Sequence, residues 1–203
     1  MRTLLLIDIQ NDFLPGGALA VPHGDEVIAI ANTIMSRFDL VVASQDWHPT
    51  GHVSFAASHA GRKIGDMIEI DGLKQMLWPT HCVQNSKGAA FPADLNTAKI
   101  DHTVHKGTNI QIDSYSTFFD NGHRHQTGLD DYLKAHGCES LYVMGLATDY
   151  CVKSSVLDAL KLGYQVHVII EGIRGVEVNM GDCAMAIDVM MREGAEIIGM
   201  DDI

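Results

Sequence analysis

The chain has 203 residues, of which 46% are hydrophobic and 20% are charged, as is typical of a globular protein with one core. Its formal net charge of −12 argues against nucleic acids and anionic membranes as partners. No apolar run reaches the ~18 residues of a membrane span. The apolar run at the start of the chain is too short for a signal peptide, because it ends at the acidic residue Asp8. Four widely spaced cysteines are typical of reduced thiols, so we expect a cytoplasmic protein.

Apolar runs that predict buried strands alternate along the chain with amphipathic patterns that predict helices. The first elements are a strand at residues 3–7, a helix at about 25–38 and a second strand at 40–44. Residues 46–100 interrupt this alternation with few periodic segments and many Gly, Pro, His and Ser residues. A connection of this length is usually functional, and we expect it to bind metal and substrate.

The alternation resumes after the long loop and predicts the fold class. The remaining predicted elements are strands at 101–105, 140–144, 165–170 and 196–198 and helices at 128–136, 150–162 and 178–193. Repeated strand–helix–strand units predict a doubly wound, mostly parallel six-stranded sheet with helices on both faces, as in Rossmann-like folds. We expect residues 1–203 to form one such α/β domain. In these sheets ligands bind beyond the carboxyl ends of the strands.

Four of the predicted strands are followed by a reactive side chain. Strand one ends at Asp8, strand two at Asp46, strand three at Lys106, and strand four leads to Cys151. Taken singly, Asp8 is as readily explained as a turn residue, and Lys106 as a solvated charge. Because the carboxyl ends of parallel strands share one edge of the sheet, we expect these side chains to form one site.

Cys151 is the candidate nucleophile. A helical pattern follows the apolar run 141–144, so we expect Cys151 in the first turn of a helix capped by Thr148 or Asp149. Free N–H groups and the helix dipole at that position favour a thiolate, lower its pKa and can bind an oxyanion. From this stretch alone, a buried structural cysteine is an equally good interpretation.

Asp46 and His48 are a candidate pair of metal ligands. One residue separates them, so in extended backbone both side chains point to the same side. A carboxylate combined with imidazoles suits Zn, Fe or Mn better than Ca or Mg. His52 and His81 in the long loop are candidate third ligands. The remaining histidines lack such a context, and we expect them to be structural or solvated: His23, His59, His102, His105, His123, His125, His136 and His167.

Five segments resemble, in the same order, motifs of the isochorismatase-like cysteine hydrolase superfamily. They are DIQNDF at 8–13, QDWHPTGHVSF at 45–55, WPTHCV at 78–83, KG at 106–107 and GLATDYCV at 145–152. The first and last segments are specific to the superfamily. The second and third segments resemble the nicotinamidase/pyrazinamidase branch, because they contain its metal ligands.

The resemblance implies roles for particular residues. It implies a catalytic triad of Asp8, Lys106 and Cys151. It implies a metal site formed by Asp46, His48 and His81, while the use of His52 as a further ligand varies within the family. It also implies a cis peptide bond between Leu146 and Ala147, with an oxyanion bound by the N–H groups of Ala147 and Cys151. The candidate substrate-binding residues are Phe13, Trp78 and Tyr115.

The resemblance also implies an activity. We expect an amidohydrolase that uses one divalent transition metal ion, either Zn, Fe or Mn. It would convert nicotinamide to nicotinate and ammonia in NAD salvage, and it would also convert pyrazinamide to pyrazinoate. Nicotinamide is then the expected small-molecule partner, and we expect no nucleic acid or membrane partner. Whether the chain forms a homo-oligomer is left open by the sequence. One alternative is a related cysteine hydrolase acting on another amide or an N-carbamoyl compound. A second is a metal-binding module without catalysis, which leaves Asp8, Lys106 and Cys151 unexplained.

Overall fold

The computed structural model describes all of residues 1–203 and contains eight strands and four α-helices. The strands are β1 (Arg2–Ile7), β2 (Leu40–Asp46), β3 (Met67–Ile70), β4 (Leu73–Met76), β5 (His102–Lys106), β6 (Ser140–Leu146), β7 (Gln165–Arg174) and β8 (Glu196–Ile198). The helices are α1 (Glu26–Ile34), α2 (Leu129–Ala135), α3 (Lys153–Lys161) and α4 (Asp182–Arg192). No helix is long and apolar enough to cross a membrane.

Six strands form one sheet in the order β5-β2-β1-β6-β7-β8, and every neighbouring pair is parallel. The predicted six-stranded α/β sheet is confirmed. Its order reverses at β1, which lies between β2 and β6. That reversal is the position at which doubly wound sheets open a crevice for ligands.

Helices cover both faces of the sheet, as predicted. In β1, Leu5 and Ile7 pack into a core that includes residues of α2, α3 and α4. Leu4 and Leu6 face the opposite core, which contains residues of α1 and of the long irregular segment. Because side chains alternate across a strand, a strand with a core on each side is apolar at every position. This explains the continuous apolar run near the start of the chain.

Two parts of the sequence-based element assignment need correction. The prediction ended the fifth strand at residue 170, whereas β7 continues to Arg174. The prediction also missed the antiparallel hairpin of β3 and β4, which lies inside the long irregular segment. Residues of β3 alternate between exposed and half-buried. No apolar residue of the hairpin is buried, and each strand has only four residues, the shortest length at which alternation indicates a strand in a sequence.

Candidate active site

The structure brings the four reactive strand-end residues together. Lys106 Nζ lies 2.8 Å from Asp8 Oδ2, 2.5 Å from Asp46 Oδ1 and 3.3 Å from Cys151 Sγ. It also donates a hydrogen bond of 3.0 Å to the carbonyl oxygen of Ser114. Asp8, Asp46, Lys106 and Cys151 are all buried. One ammonium group thus contacts two carboxylates and the thiol at the switch point of the sheet.

The local backbone places Asp8 and the nucleophile strand close together. Asp8 has a positive φ of 49°, and its carboxylate accepts a 2.6 Å hydrogen bond from Ser44 Oγ. Beside it, Gly145 in β6 has a φ of 123°. A Cβ at Gly145 would lie 2.1 Å from the carbonyl oxygen of Ile7. Only glycine therefore allows β6 to approach the end of β1 this closely.

Burial and charge set the protonation of the three groups. Burial raises the pKa of Asp8, and Lys106 offsets this effect only in part. Burial also opposes the charge of Lys106, but Asp46 and Asp8 outweigh it and hold the Lys106 pKa well above its ordinary value. The pKa of the Cys151 thiol is raised well above its ordinary value by burial, against the effect of Lys106. The expected lowering of the Cys151 pKa is therefore wrong in this structure, because burial, together with the charges of Asp8 and Asp46, exceeds the effect of Lys106.

The segment around Cys151 also differs from the expected helix start. Thr148–Val152 form a single π-helical turn, and α3 begins after it at Lys153. Neither Thr148 nor Asp149 caps the helix through its side chain, so the predicted cap is wrong. The peptide bond between Leu146 and Ala147 is cis, as the family resemblance implied.

Asp46, His48 and His81 form a buried group whose ligand atoms lie within 4.8 Å of one another. Asp46 Oδ2 is 3.6 Å from His48 Nε2 and 3.8 Å from His81 Nε2. His48 Nδ1 lies 3.0 Å from the carbonyl oxygen of Gly107, and His81 Nδ1 lies 2.8 Å from that of Pro79. Each imidazole can therefore donate through Nδ1 and keep the Nε2 lone pair for an ion, the usual arrangement of metal-binding histidines. The donor set fits a divalent transition metal.

His52 lies beside this group but uses both ring nitrogens for protein partners. Its Nδ1 accepts a hydrogen bond from the N–H of Ser54 at 3.3 Å, which places the proton on Nε2. His52 Nε2 then donates to the carbonyl oxygen of Ile112 at 3.3 Å. Burial, followed by the nearby His48, lowers the His52 pKa to about 4. No lone pair of His52 is free for an ion in this arrangement, and we leave it out of the ligand set proposed below.

A narrow pocket opens onto the thiol and the metal-binding group. The three predicted substrate-binding aromatics, Phe13, Trp78 and Tyr115, all line it. Trp78 Nε1 donates a 3.1 Å hydrogen bond to Tyr115 Oη, which fixes the two rings relative to each other. The other lining residues are Leu19, Asp46, His81, Asp113, Ala147, Tyr150, Cys151 and Val176. Aromatic and apolar walls with few polar groups suit a small, flat ligand.

Comparisons with known proteins agree with this geometry. The isochorismatase domain model matches residues 2–202. The chain is 52% identical to the nicotinamidase of Escherichia coli strain K12 over 99% of its own length and 96% of the relative's. The chain belongs to the isochorismatase family.

Solved structures place the chain among the nicotinamidase-like members of the isochorismatase family. A nicotinamidase/pyrazinamidase structure from Acinetobacter baumanii has a TM-score of 0.96 and 41% identity, covering 99% of this chain and 97% of that one. A pyrazinamidase from Pyrococcus horikoshii in complex with zinc has a TM-score of 0.79 and 35% identity, covering 98% of each chain. The resemblance stated from the motifs is thereby confirmed.

Some residues of this isochorismatase-family site were missed by the sequence analysis. Gln10 holds Asp46 in place, with its side-chain amide bonded to both the N–H and the carbonyl of Asp46 at 2.8 Å. It lies in the first motif, so its position in DIQNDF was an available signal. Asp113 and Val176 line the pocket from segments without secondary-structure periodicity. Nothing in the sequence around them indicates that they reach the site.

Proposed function

We propose that this protein hydrolyses nicotinamide to nicotinate and ammonia, accepts pyrazinamide as a second substrate, and acts in NAD salvage. The observation that carries the proposal is the position of Lys106 Nζ, which touches Asp8, Cys151 and Asp46 at once. A thiol, a proton acceptor and a fixed positive charge are the requirements for nucleophilic cleavage of an amide. The adjoining pocket is lined mainly by aromatic and apolar side chains, which suit a flat pyridine ring.

In the first half of the reaction, Cys151 Sγ attacks the carboxamide carbon while its proton passes to Asp8. The raised pKa of Asp8 favours this transfer, because burial makes its protonated form easier to reach. Asp8 then gives the proton to the departing nitrogen, and ammonia leaves as the C–N bond breaks. The acyl group of nicotinamide remains as a thioester on Cys151.

In the second half, Asp8 takes a proton from water as the water oxygen attacks the thioester carbon. The C–S bond breaks, the proton on Asp8 returns to the sulfur of Cys151, and the acid leaves and gives its remaining proton to solvent as nicotinate. Lys106 holds the two carboxylates and stabilises the charge that develops on the sulfur. We assign the oxyanion of both tetrahedral intermediates to the N–H groups of Ala147 and Cys151.

We propose that Asp46, His48 and His81 hold the divalent ion. Zinc, iron and manganese all accept this ligand set. When bound, the ion supplies a Lewis-acid partner for the ring nitrogen, which orients the carboxamide toward Cys151. Phe13, Trp78 and Tyr115 would enclose the ring and exclude water from it.

The test is ammonia release from a panel of amides, with the metal content measured on the same sample. Nicotinamide and pyrazinamide carry a nitrogen meta to the carboxamide carbon and should be hydrolysed. Benzamide has the same shape without that nitrogen, and sites that bind a polar group reject such analogues, so its kcat/KM should be at least about 10²-fold lower. Picolinamide, with the nitrogen ortho, should also be poor.

The panel separates the proposal from its alternatives. Benzamide cleaved within a few-fold of nicotinamide would contradict recognition of the ring nitrogen. Faster release from a carbamoyl amine than from nicotinamide would assign the site to the N-carbamoyl branch of the family. Unchanged ammonia release after Cys151→Ala would refute cysteine catalysis altogether.

A further inference from the structure

A buried carboxylate beside the nucleophile has no role in the reaction described above. Asp149 lies two residues before Cys151 and is only 3% exposed. Its Oδ1 accepts the N–H of Val176 at 3.0 Å, and its Oδ2 accepts the N–H of Glu177 at 2.9 Å. Both partners are main-chain groups of the segment between β7 and α4. Hydrogen bonds to a charged acceptor are about twice as strong as neutral ones.

That segment, residues 175–181, is named the strap here. Gly175 begins it and packs against both α4 and Asp149, since a Cβ at this position would lie 2.0 Å from Cys183 Sγ and 2.9 Å from Asp149 Oδ1. The far end has bonds of its own near α4: Glu177 Oε1 accepts the N–H of Gly181 at 2.6 Å, and Asp182 Oδ2 accepts that of Asn179 at 2.8 Å. Asp149 is thus the group that accepts the main-chain N–H groups at the pocket end of the strap.

The hydrogen bonds to Asp149 bear on substrate binding because of Val176. This strap residue lines the substrate pocket together with Cys151. The two residues after Glu177 in the sequence turn away to solvent, and Met180 is 99% exposed. The strap therefore contributes one side chain to the pocket, and the main-chain N–H of that residue is bonded to Asp149.

We propose that Asp149 is a positioning residue that sets substrate affinity by holding Val176 against the ring-binding pocket. It transfers no proton and touches no reacting atom. The inference rests on the proposed function for its substrate, and it adds a determinant of affinity that lies outside the triad and the metal ligands. A pocket wall fixed before binding lowers the entropy cost of ordering it around the ligand.

The experiment compares Asp149→Asn with wild type and with the matched control Asp182→Asn. An asparagine at 149 keeps one carbonyl acceptor but presents an NH₂ group to the second strap N–H, so one bond is lost. The control removes the same charge at the far end of the strap. Steady-state kinetics with nicotinamide give kcat and KM, and calorimetry in the Cys151→Ala background gives Kd without turnover.

We expect Asp149→Asn to raise KM and Kd about tenfold and to change kcat less than about threefold. Asp182→Asn should stay within about twofold of wild type in both constants. Val176→Ala should raise Kd by a similar factor, and adding Asp149→Asn to it should have little further effect, because both changes remove the same wall.

Several outcomes would overturn the inference. A fall in kcat with unchanged Kd in Asp149→Asn would indicate a displaced nucleophile instead. An unchanged nicotinamide Kd in Val176→Ala would show that the Val176 side chain does not contribute to binding. This result would overturn the inference even if Asp149→Asn did not fold. Absence of nicotinamide turnover in wild type would refute the proposed function, and the same Kd comparison with the amide selected by the panel would still decide the role of Asp149.

Discussion

The two halves of the site are supported in different ways. The nucleophile half is the proposed triad of Asp8, Lys106 and Cys151, which follow or end strands β1, β5 and β6 of the central sheet. In the metal half only Asp46 lies on a strand. His48 and His81 lie in the irregular segment 47–101, where His48 and Val83 pair through an isolated bridge.

The metal half is instead held by side chains that bond to the backbone. Asp12 Oδ2 accepts the N–H of Cys82, the residue after His81, at 2.7 Å. Cys82 has a positive φ of 44°, a conformation that needs such support. A strand end is positioned by the ladder of its sheet, whereas a loop ligand is positioned by a few specific hydrogen bonds. We therefore expect substitutions in the nucleophile half to lower kcat, and substitutions in the metal half to lower metal and substrate affinity.

The largest expected effect is the loss of chemistry from the nucleophile half. Cys151→Ala and Asp8→Asn should each lower kcat by at least about 10⁴-fold, because they remove the nucleophile and the proton acceptor. Nicotinamide affinity and metal content should stay near wild type, since the ring and the ion are held elsewhere. Ammonia release gives kcat, calorimetry gives the nicotinamide affinity, and metal analysis gives the metal content of each variant. Loss of the metal in Asp8→Asn would show that the two halves are not independent.

The next effect is the loss of binding from the metal half. His48→Ala should remove the bound ion and lower nicotinamide affinity by about 10²-fold, because an unpaired ring nitrogen is then buried in an apolar pocket. Metal analysis and calorimetry measure the two changes. His59→Ala is the matched control, as His59 is bound to the carbonyl of Val53 and belongs to no ligand group. A His48→Ala protein with full metal content would remove His48 from the ligand set.

A smaller effect tests the support of the loop ligand. Asp12→Asn should weaken metal affinity by about 10–100-fold, the usual cost of removing a group that orients a metal ligand. Asp25→Asn, a change at an exposed carboxylate without a capping bond, is the control. Competition with a chelator measures the affinity of each protein. Equal affinity in all three proteins would mean that His81 needs no support from Asp12.

The smallest expected effect concerns the loop that carries Ser114 and Tyr115. Burial opposes the charge of Asp120, but the N–H of Arg124 and the bonds from His125 outweigh it and lower the Asp120 pKa. Its stabilisation is therefore complete above the unfolded value of about 3.9 and is lost as pH falls through the lower folded value. Asp120→Asn should reduce the free energy of unfolding by about 1 kcal/mol at pH 7.

The check on Asp120 is the difference in unfolding free energy between wild type and Asp120→Asn, measured by denaturant at several pH values. That difference should shrink below about pH 4 as the wild-type carboxylate becomes protonated. A difference independent of pH would mean that the charge of Asp120 does not stabilise the loop. Turnover at pH 7 should be unchanged in either case.

The nucleophile half was also the more predictable half. Asp8, Lys106 and Cys151 were identified because each follows a predicted strand, and the parallel sheet then requires their approach. From the residues alone His81 was one of two candidate third ligands, and the family resemblance placed it in the metal site but left His52 open. The choice against His52 depends on the hydrogen bonds of Ser54 and Ile112. Hydrogen bonds between loops leave no periodic signal in a sequence.

The sequence by itself determined the alternation of strands and helices, the strand ends that meet at the site, and the family, because all of these depend on local patterns and motifs. Only the tertiary structure decided that burial raises the pKa of Cys151, that Asp149 holds the strap instead of capping a helix, and that Val176 lines the pocket. Each of these depends on groups that folding brings together from distant parts of the chain, and on the water that their packing excludes.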